Sequence, residues 1–570
     1  MAILILPLEK ISNGMIKGDL TMKKNFTCIA LLSILMIACN KNESGPVTGP
    51  DQDNTIKMVT ETIQAADEDG APTRAAVDAD AHFTWTEGDQ IAVHVSDGKY
   101  YISEALAPGE YNGCADFSVT YPGNESRDAF AIYPADIVAE YTTEYGQSGS
   151  ELMVTLPDAY KIDQVSGNTV PCPMIATNTA GKGWMFSQLC GMFRLSINDI
   201  PSDALYLKID FNGKKVQGEF SISGEITPGT TSIQTSQTNG DDDIITVVGL
   251  NQGNYAGTSC VINLPLPTGT YDCIDITAFN SSDEPLLGSS RHFKDGASYN
   301  AARAKGKKLS VSLVKFSVSS TKSVIFSPGN LQATYDGSEW SWAFAPSQYS
   351  YIGDATANTA ISGTGKVSEN GTVDLYGWVG ASNQPWTGVA VYGISNSTTN
   401  NAYTTYGNKE GEALKSDWGK TIGDGNTWRT LTGGDEGEWV YLLTQRSLDY
   451  NYAKGKIHGT NGLIIFPDNY DPATDGVIII EANSATSHYT QYSDEDWEKM
   501  ETSGCVFLPA AGFRIWGNTV RNNNVNGYYW SSTSTSVAHA WSVDFINGEL
   551  EFSSDMLRNI GRSVRLVRDL

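Results

Sequence analysis

Along the first 313 residues apolar side chains recur at every second position in short runs, and no long amphipathic helix interrupts them. Phe193, Leu195 and Ile197 form one such run, and Leu205, Leu207, Ile209 and Phe211 form another. Ile274-Asp275-Ile276-Thr277-Ala278 and Leu309-Ser310-Val311-Ser312-Leu313 repeat the pattern. A period of two puts alternate side chains on one face, so each run predicts a half-buried strand. Asn212-Gly213 and Asn239-Gly240 supply the residues that tight turns between strands require. A chain of 570 residues exceeds one core, and about 100 to 200 residues per domain gives three or four modules.

The formal net charge is −27, with the acids spread along the chain rather than gathered into a tail. A surface of that sign repels phosphate backbones and excludes nucleic acid as a partner. It suits a protein kept dispersed in a crowded exterior. With 56 Gly, 27 Tyr and 13 Trp but only 18% charged residues, the composition also agrees with all-β modules joined by turns.

From Met22 the order is Lys23-Lys24, an apolar run from Ile29 to Ala38, then Cys39 followed by Asn40-Lys41-Asn42. Positive residues, a short apolar stretch and a small residue before a cut describe a secretion signal. The run is too short to span a bilayer, which takes about 20 residues. Met36-Ile37-Ala38-Cys39 resembles a bacterial lipobox, with Met36 where leucine is usual. That resemblance implies diacylglycerol on the Cys39 sulfur, cleavage before it, and a mature chain anchored to the outer membrane. Residues 1–21 read as an upstream extension, 22–39 as a lipoprotein signal peptide, and 40–55, rich in Gly, Pro, Asp and Asn, as a flexible tether.

Cys114, Cys172, Cys190, Cys260, Cys273 and Cys505 contain no C-x-x-C pair, and the 172–190 spacing lacks the histidines of a zinc site. No metal or other cofactor is expected. Scattered thiols and one or two disulfides both fit the spacings.

Phe83-Thr84-Trp85-Thr86-Glu87-Gly88-Asp89-Gln90-Ile91, Ala131-Ile132-Tyr133-Pro134, Pro173-Met174-Ile175-Ala176 and Phe186 to Leu195 follow one another in an order that resembles the fimbrillin family of pilins and pilin-associated lipoproteins. The resemblance covers about residues 56–312. It implies a mainly β chain with two pilin-like β-sandwich modules, 56–190 and 191–313. It also implies a first strand cut away after a basic residue, leaving a groove that another fimbrial subunit fills by donor-strand exchange. Arg74, in Pro72-Thr73-Arg74-Ala75, is the candidate for that protease cut.

After Val314 the composition shifts toward Trp, Tyr, Asn, Ser and Gly, and helix signals appear. Thr432-x-x-Asp435 precedes Trp439, Leu442 and Leu443 on one helical face, and Ser493-x-x-Asp496 caps a segment from Asp494 to Met500. Leu463 to Phe466 and Val477 to Ile480 read as buried strands. Phe326-Ser327-Pro328-Gly329, Asp374 to Trp378, Trp428 to Leu431, Phe507 to Gly512, Tyr529 to Thr533 and Gly561 to Arg568 together resemble the C-type-lectin-like fold of bacterial surface proteins. That resemblance implies an α+β C-type-lectin-like domain over 314–570, with its ligand face on the last strands and loops.

Candidate ligand-binding residues on that face are Arg514, Trp516, Asn518, Arg521, Asn522, Asn523, Tyr528, His539, Trp541, Asn547 and Glu549. Aromatic planes stack on sugar rings while amides and carboxylates bond hydroxyls. Trp530 reads as core, Trp541 as core or ligand face, and the Asn run at 522–524 as ligand contact or ordinary turn. The segment also resembles retroelement-diversified variable regions. No G-x-S-x-G elbow, H-E-x-x-H helix or phosphate-cradling loop is present, and Cys505 stands alone after residue 273, so no enzyme is expected. The reading is a cell-surface adhesin, a fimbrial tip or accessory subunit that binds a host or bacterial glycan or protein. The alternative is an outer-membrane glycan-binding lipoprotein outside any pilus.

Overall fold

The computed structural model describes residues 58–67, 76–77, 83–109, 115–125, 127–141, 152–162, 173–179, 183–223, 234–236, 243–250, 255, 257–293, 298–302, 306–335, 340–353, 358, 371–378, 417–422, 428–484, 488–515, 519–536, 538–546 and 549–570. Within them the chain is mainly β, with many small sheets and few helices. The first sheet has seven strands: Tyr100–Ile102, Ala92–Val95, Arg127–Tyr133, Met174–Thr179, Gly183–Gln188, Met58–Asp67 and Ala115–Pro122 in spatial order. Met58–Asp67 runs antiparallel to Ala115–Pro122 from Met58↔Pro122 to Ala65↔Ala115, and parallel to Gly183–Gln188 over Ala65 to Asp67.

Trp85 anchors the core beside that sheet, with Phe117, Tyr133 and Phe186 meeting it edge-on at 4.9 to 5.5 Å between centroids. The turn that follows holds it there. The Asp89 carboxylate accepts from the Thr86 N–H at 2.6 Å and from the Tyr133 hydroxyl at 2.7 Å, while Gly88 takes a φ of +89°. The Trp85-to-Ile91 stretch is therefore one closed turn between two buried side chains.

Farther along, Phe193, Leu195 and Ile197 share a core with Leu207, Ile209, Ile245, Val247, Ile274, Ile276 and Ala278. The first group belongs to a sheet ordered Cys260–Leu266, Gly191–Asn198, Gly306–Ser312. The second belongs to one ordered Ala159–Lys161, Ile244–Val248, Tyr206–Asp210, Cys273–Phe279, Pro285–His292. Alternation thus sorts the expected faces, except that Leu205 precedes its strand and stays 36% exposed. The expected division at 190/191 is crossed by hydrogen bonding. Leu152–Leu156 pairs with Gly218–Ser223, and Ala159–Lys161 with Ile244–Val248, so earlier strands complete later sheets. A period of two identifies a strand but not the edge it joins.

Beyond residue 314 the strand Leu566–Asp569 lies between Ser323–Phe326 and Trp428–Thr430. Trp378, Trp418, Trp428 and Trp530 fill one core, and Trp439, Tyr529 and Phe545 belong to another. The helix Asp494–Thr502 begins as expected: Ser493 Oγ accepts from the Asp496 N–H at 3.1 Å and the Asp496 carboxylate from the Ser493 N–H at 3.2 Å, with Trp497 and Met500 buried.

Two other expectations need correction. The first helix is short, Glu438–Val440 followed by a π turn at Tyr441–Gln445; its N-cap is Gly437, with no side-chain cap bond, and the residue that answers Thr432 is Glu438 rather than Asp435. The Glu438 N–H donates to Thr432 Oγ1 and the Thr432 N–H to Glu438 Oε2, both at 3.0 Å. Gly434, at φ +117°, lets the chain make that wider loop, and Arg429 grips the Glu438 carboxylate at 2.6 and 2.8 Å. Val477 to Ile480 forms no strand. Its burial alternates, with Val477 in the core and Ile479 packed against it, but Ile478 is 79% exposed and Ile480 48%. An apolar run guarantees neither a pairing partner nor burial on both faces.

The C-terminal portion rests on the outer face of the sheet containing Cys273–Phe279. Gly288 and Val314 exchange backbone hydrogen bonds at 2.9 and 2.8 Å. A Cβ on Gly288 would lie 3.2 Å from both Ile325 Cγ2 and Leu570 Cδ2. Arg568 donates to Thr277 Oγ1 at 3.0 Å and stands 3.6 Å from the Asp275 carboxylate. Cys273 packs with Leu331, Phe344 and Trp428.

Candidate functional site

The Asn run is a built turn. Asn522 and Asn524 take left-handed φ values of 58° and 56°, a region asparagine tolerates better than most residues. The N–H groups of Val525 and Asn526 both donate to the Asn522 carbonyl at 3.0 Å. Gly512 is required beneath it, since a Cβ there would meet Arg521 O at 2.2 Å. Asn524 then binds a second turn: its Oδ1 accepts from the Asn461 N–H at 2.7 Å and its Nδ2 donates to Gly459 O at 3.2 Å.

Tyr528 is buried under this turn, and its hydroxyl accepts from Asn522 and Asn526 amides at 3.0 and 3.2 Å. The Arg562 guanidinium lies 5.0 Å from its ring and 5.1 Å from that of Trp530. Arg562 also donates to the Asp544 carboxylate and, at 3.0 Å, to Ser542 Oγ. Burial raises the Asp544 carboxyl above its ordinary range, and Arg562 opposes that shift. This buried pair supports the turn from below and is not offered to a ligand.

Arg514, expected on the ligand face, is an interior residue. Its backbone exchanges 2.8 Å hydrogen bonds with Gly561, and its Nη2 donates to Leu375 O at 3.2 Å. The lectin-like resemblance placed it on the ligand face, whereas its backbone is bridged to Gly561 in the interior. Tyr528 is likewise mostly enclosed. His539 and Trp541 are half-buried; His539 Nδ1 is 3.0 Å from Ser536 Oγ at the base of a hairpin, and the Trp541 carbonyl accepts from Ser531 Oγ at 2.9 Å. Arg521, Asn522 and Glu549 are exposed and Asn523 half-buried. Trp516, Asn518 and Asn547 lie outside the described residues, as do Cys39 and Arg74.

Two residues lie against the turn without any sequence signal, Tyr489 half-buried and Lys454 buried. The Tyr489 hydroxyl donates to Val525 O at 2.7 Å, and the Lys454 ammonium lies 6.0 Å from the Tyr489 ring. Burial lowers the Lys454 ammonium to about 8, against the opposing pull of Glu549. Lys454 and Tyr489 come from a strand and a loop more than 30 positions from the Asn turn, so only the fold joins them. Of this grouping the amides of Asn522 and Asn523, the Tyr489 phenol and the Glu549 carboxylate reach the surface, which is hydrogen-bonding chemistry, while Lys454 is buried behind them. Among the described residues no group of three or more His, Cys, Asp or Glu could hold a metal ion, and Cys190, Cys260, Cys273 and Cys505 are buried free thiols.

Residues 476–567, which include this turn, match a family described as a domain of unknown function, DUF8237. No curated protein matches the chain. Among solved structures it is similar to a candidate cell adhesion protein from Bacteroides ovatus, at 13% identity over 45% of this chain and 92% of that one, with a TM-score of 0.26. It is also similar to the tip fimbrial protein Mfa3 from Porphyromonas gingivalis, at 8% identity over 42% and 84%, TM-score 0.18. A fimbrial protein from Bacteroides ovatus shares 11% identity over 89% and 99%, TM-score 0.17. At these scores the likeness carries no weight of its own.

Proposed function

We propose that the chain is a non-enzymatic cell-surface adhesin, a fimbrial tip or accessory subunit lipidated at Cys39. In this reading residues 56–313 are pilin-like sandwiches that join other fimbrial subunits. Residues 314–570 are a lectin-like portion that meets a host or bacterial glycan or protein through the surface around Asn522, Tyr489 and Glu549.

The observation that carries the reading is the place of Met58–Asp67. It fills the sheet between Ala115–Pro122 and Gly183–Gln188, and Arg74 follows it in the chain. A cut at Arg74 would separate that strand covalently from the rest, and its departure would leave two unpaired edges facing one another. Such a slot accepts a strand from a neighbour through main-chain hydrogen bonds and alternate side-chain pockets. Leu566–Asp569, by contrast, is held between two strands and pinned by Arg568, so it is poorly placed to leave and donate.

The test is digestion of the full chain with an arginine-specific protease, followed by N-terminal sequencing and a binding screen on glycans and host proteins. The reading expects a new N-terminus at Ala75, loss of the 58–67 segment once a competing strand peptide is added, and binding that falls in Asn522→Ala and Glu549→Ala. An intact Arg74 bond with no ligand on either panel would count against it.

A further inference from the structure

In the strand Cys273–Phe279, Ile274, Ile276 and Ala278 point into the core, so Asp275 and Thr277 point out of the sheet. On an uncovered sheet Asp275 would be solvated. Here it is 2% exposed, because the C-terminal portion lies over it. The residue directly opposite on the neighbouring strand is Asp210, so two carboxylates face one another across a ladder that the overlying portion shields from water. Like charges placed so are mutually destabilising. The overlying portion brings one cation, Arg568, 3.6 Å from Asp275 and bonded to Thr277.

We propose that the docking of residues 314–570 onto this sheet is a proton-dependent latch, in which the Asp210–Asp275 pair holds one proton while the portion is seated and ionises fully when it lifts. The neighbours agree. Asp243 adds a further negative charge beside Asp210, Asn212 and Ser290 bring neutral groups to Asp275, and Arg568 is the cation facing both. Burial first, then Asp275, pushes the Asp210 carboxyl up to about 7, and burial likewise raises Asp275 against the pull of Arg568.

The sign follows from linkage. A carboxyl whose value is raised in the docked form takes up a proton on docking at pH values between about 4, its ordinary value, and 7. Docking is therefore firmest on the acid side and weakens as pH rises through that interval.

Cys273 supplies the readout, because its thiol is buried in the junction with Leu331 and Trp428, whereas Cys260 is buried in the core beneath the sheet. The experiment is thiol labelling of the full chain from pH 5.5 to 8.5, with each cysteine followed by peptide mass and Cys273 expressed relative to Cys260 to remove the thiolate dependence they share; ionised Asp275 and Asp210 oppose the Cys273 thiolate, so their charge alone would lower the ratio rather than raise it. The latch expects the ratio to rise at least tenfold across the range in the native chain. Asp210→Asn should flatten the rise to within twofold, and Asp243→Asn should move its midpoint to lower pH. A ratio that stays constant in the native chain overturns the proposal, with no variant needed. So does a rise that survives Asp210→Asn unchanged.

Discussion

Asn524 joins two turns that are far apart in the sequence, through its side-chain amide and through its backbone carbonyl, which accepts from Asn461 Nδ2 at 2.8 Å. In Asn524→Ala the Asn461 N–H and the Gly459 carbonyl lose their partner. Each such bond is worth roughly 1 kcal/mol, so the variant should lose about 1 to 2 kcal/mol, seen as a lower urea midpoint with an unchanged slope. Lys454 makes the opposite case. Its ammonium is held down to about 8 by burial, below its ordinary value near 10.4, so the unfolded chain binds that proton more tightly. The cost is fully present below about pH 8 and is relieved as pH rises toward 10. Lys454→Met should therefore gain about 1 to 2 kcal/mol at pH 7 and abolish the rise in stability that the native chain shows between pH 8 and 10. Neither role was visible in the sequence. Asparagines in a row signal a turn, which is what they form, but their partners Asn461 and Gly459 lie more than 60 positions away. Arg514 was misplaced for a related reason: nothing local marks a charged residue whose backbone will be bridged from position 561.

Elements whose stabilising contacts are local were the ones the sequence revealed. Ser493 and Asp496 satisfy each other's backbone within one turn, so the cap could be read from four residues. Ser493→Ala should cost about 1 kcal/mol and loosen amide protection in Asp494–Thr502 before other segments. The earlier helix shows the limit: Thr432 exchanges bonds with Glu438, six positions on and across three glycines, a spacing that no three-residue rule contains. Val477 to Ile480 separates two properties that a hydropathy reading merges. The segment alternates in burial without being a strand. The contrast between neighbours is therefore sharp: Val477→Ala should destabilise by about 1 to 3 kcal/mol, while Ile478→Lys should stay within about 0.5 kcal/mol of the native chain. Equal losses at the two positions in a thermal melt would mean that Ile478 is covered after all.

At the scale of the whole molecule, the strands of residues 58–313 were legible in kind but not in connection, because alternation says which face is buried and leaves the choice of edge to contacts made over long separations. The same holds for the step at residue 314. Composition changes there, which suggests an independent domain, yet the C-terminal portion shares its packing with the preceding sheet. Cys273 belongs to the core built around Trp428 and Trp530, Val314 takes its backbone partners from Gly288, and Arg568 is bonded to Thr277. Residues 314–570 expressed alone would expose the side of that core where Cys273 sits, together with Ile325 and an Arg568 without its carboxylate. The isolated portion should accordingly unfold at lower urea than the corresponding transition in the full chain, by an amount on the order of 2 kcal/mol or more, since burial contributes about 25 cal/mol per Å² of apolar surface. Adding back a fragment that ends at residue 313 should recover part of the difference and should do so better at pH 6 than at pH 8, because the carboxylates it contributes must hold a proton beneath Arg568. A fragment that is as stable alone as in the full chain would make the junction a passive contact and return the C-terminal portion to the status of a separate domain on a string.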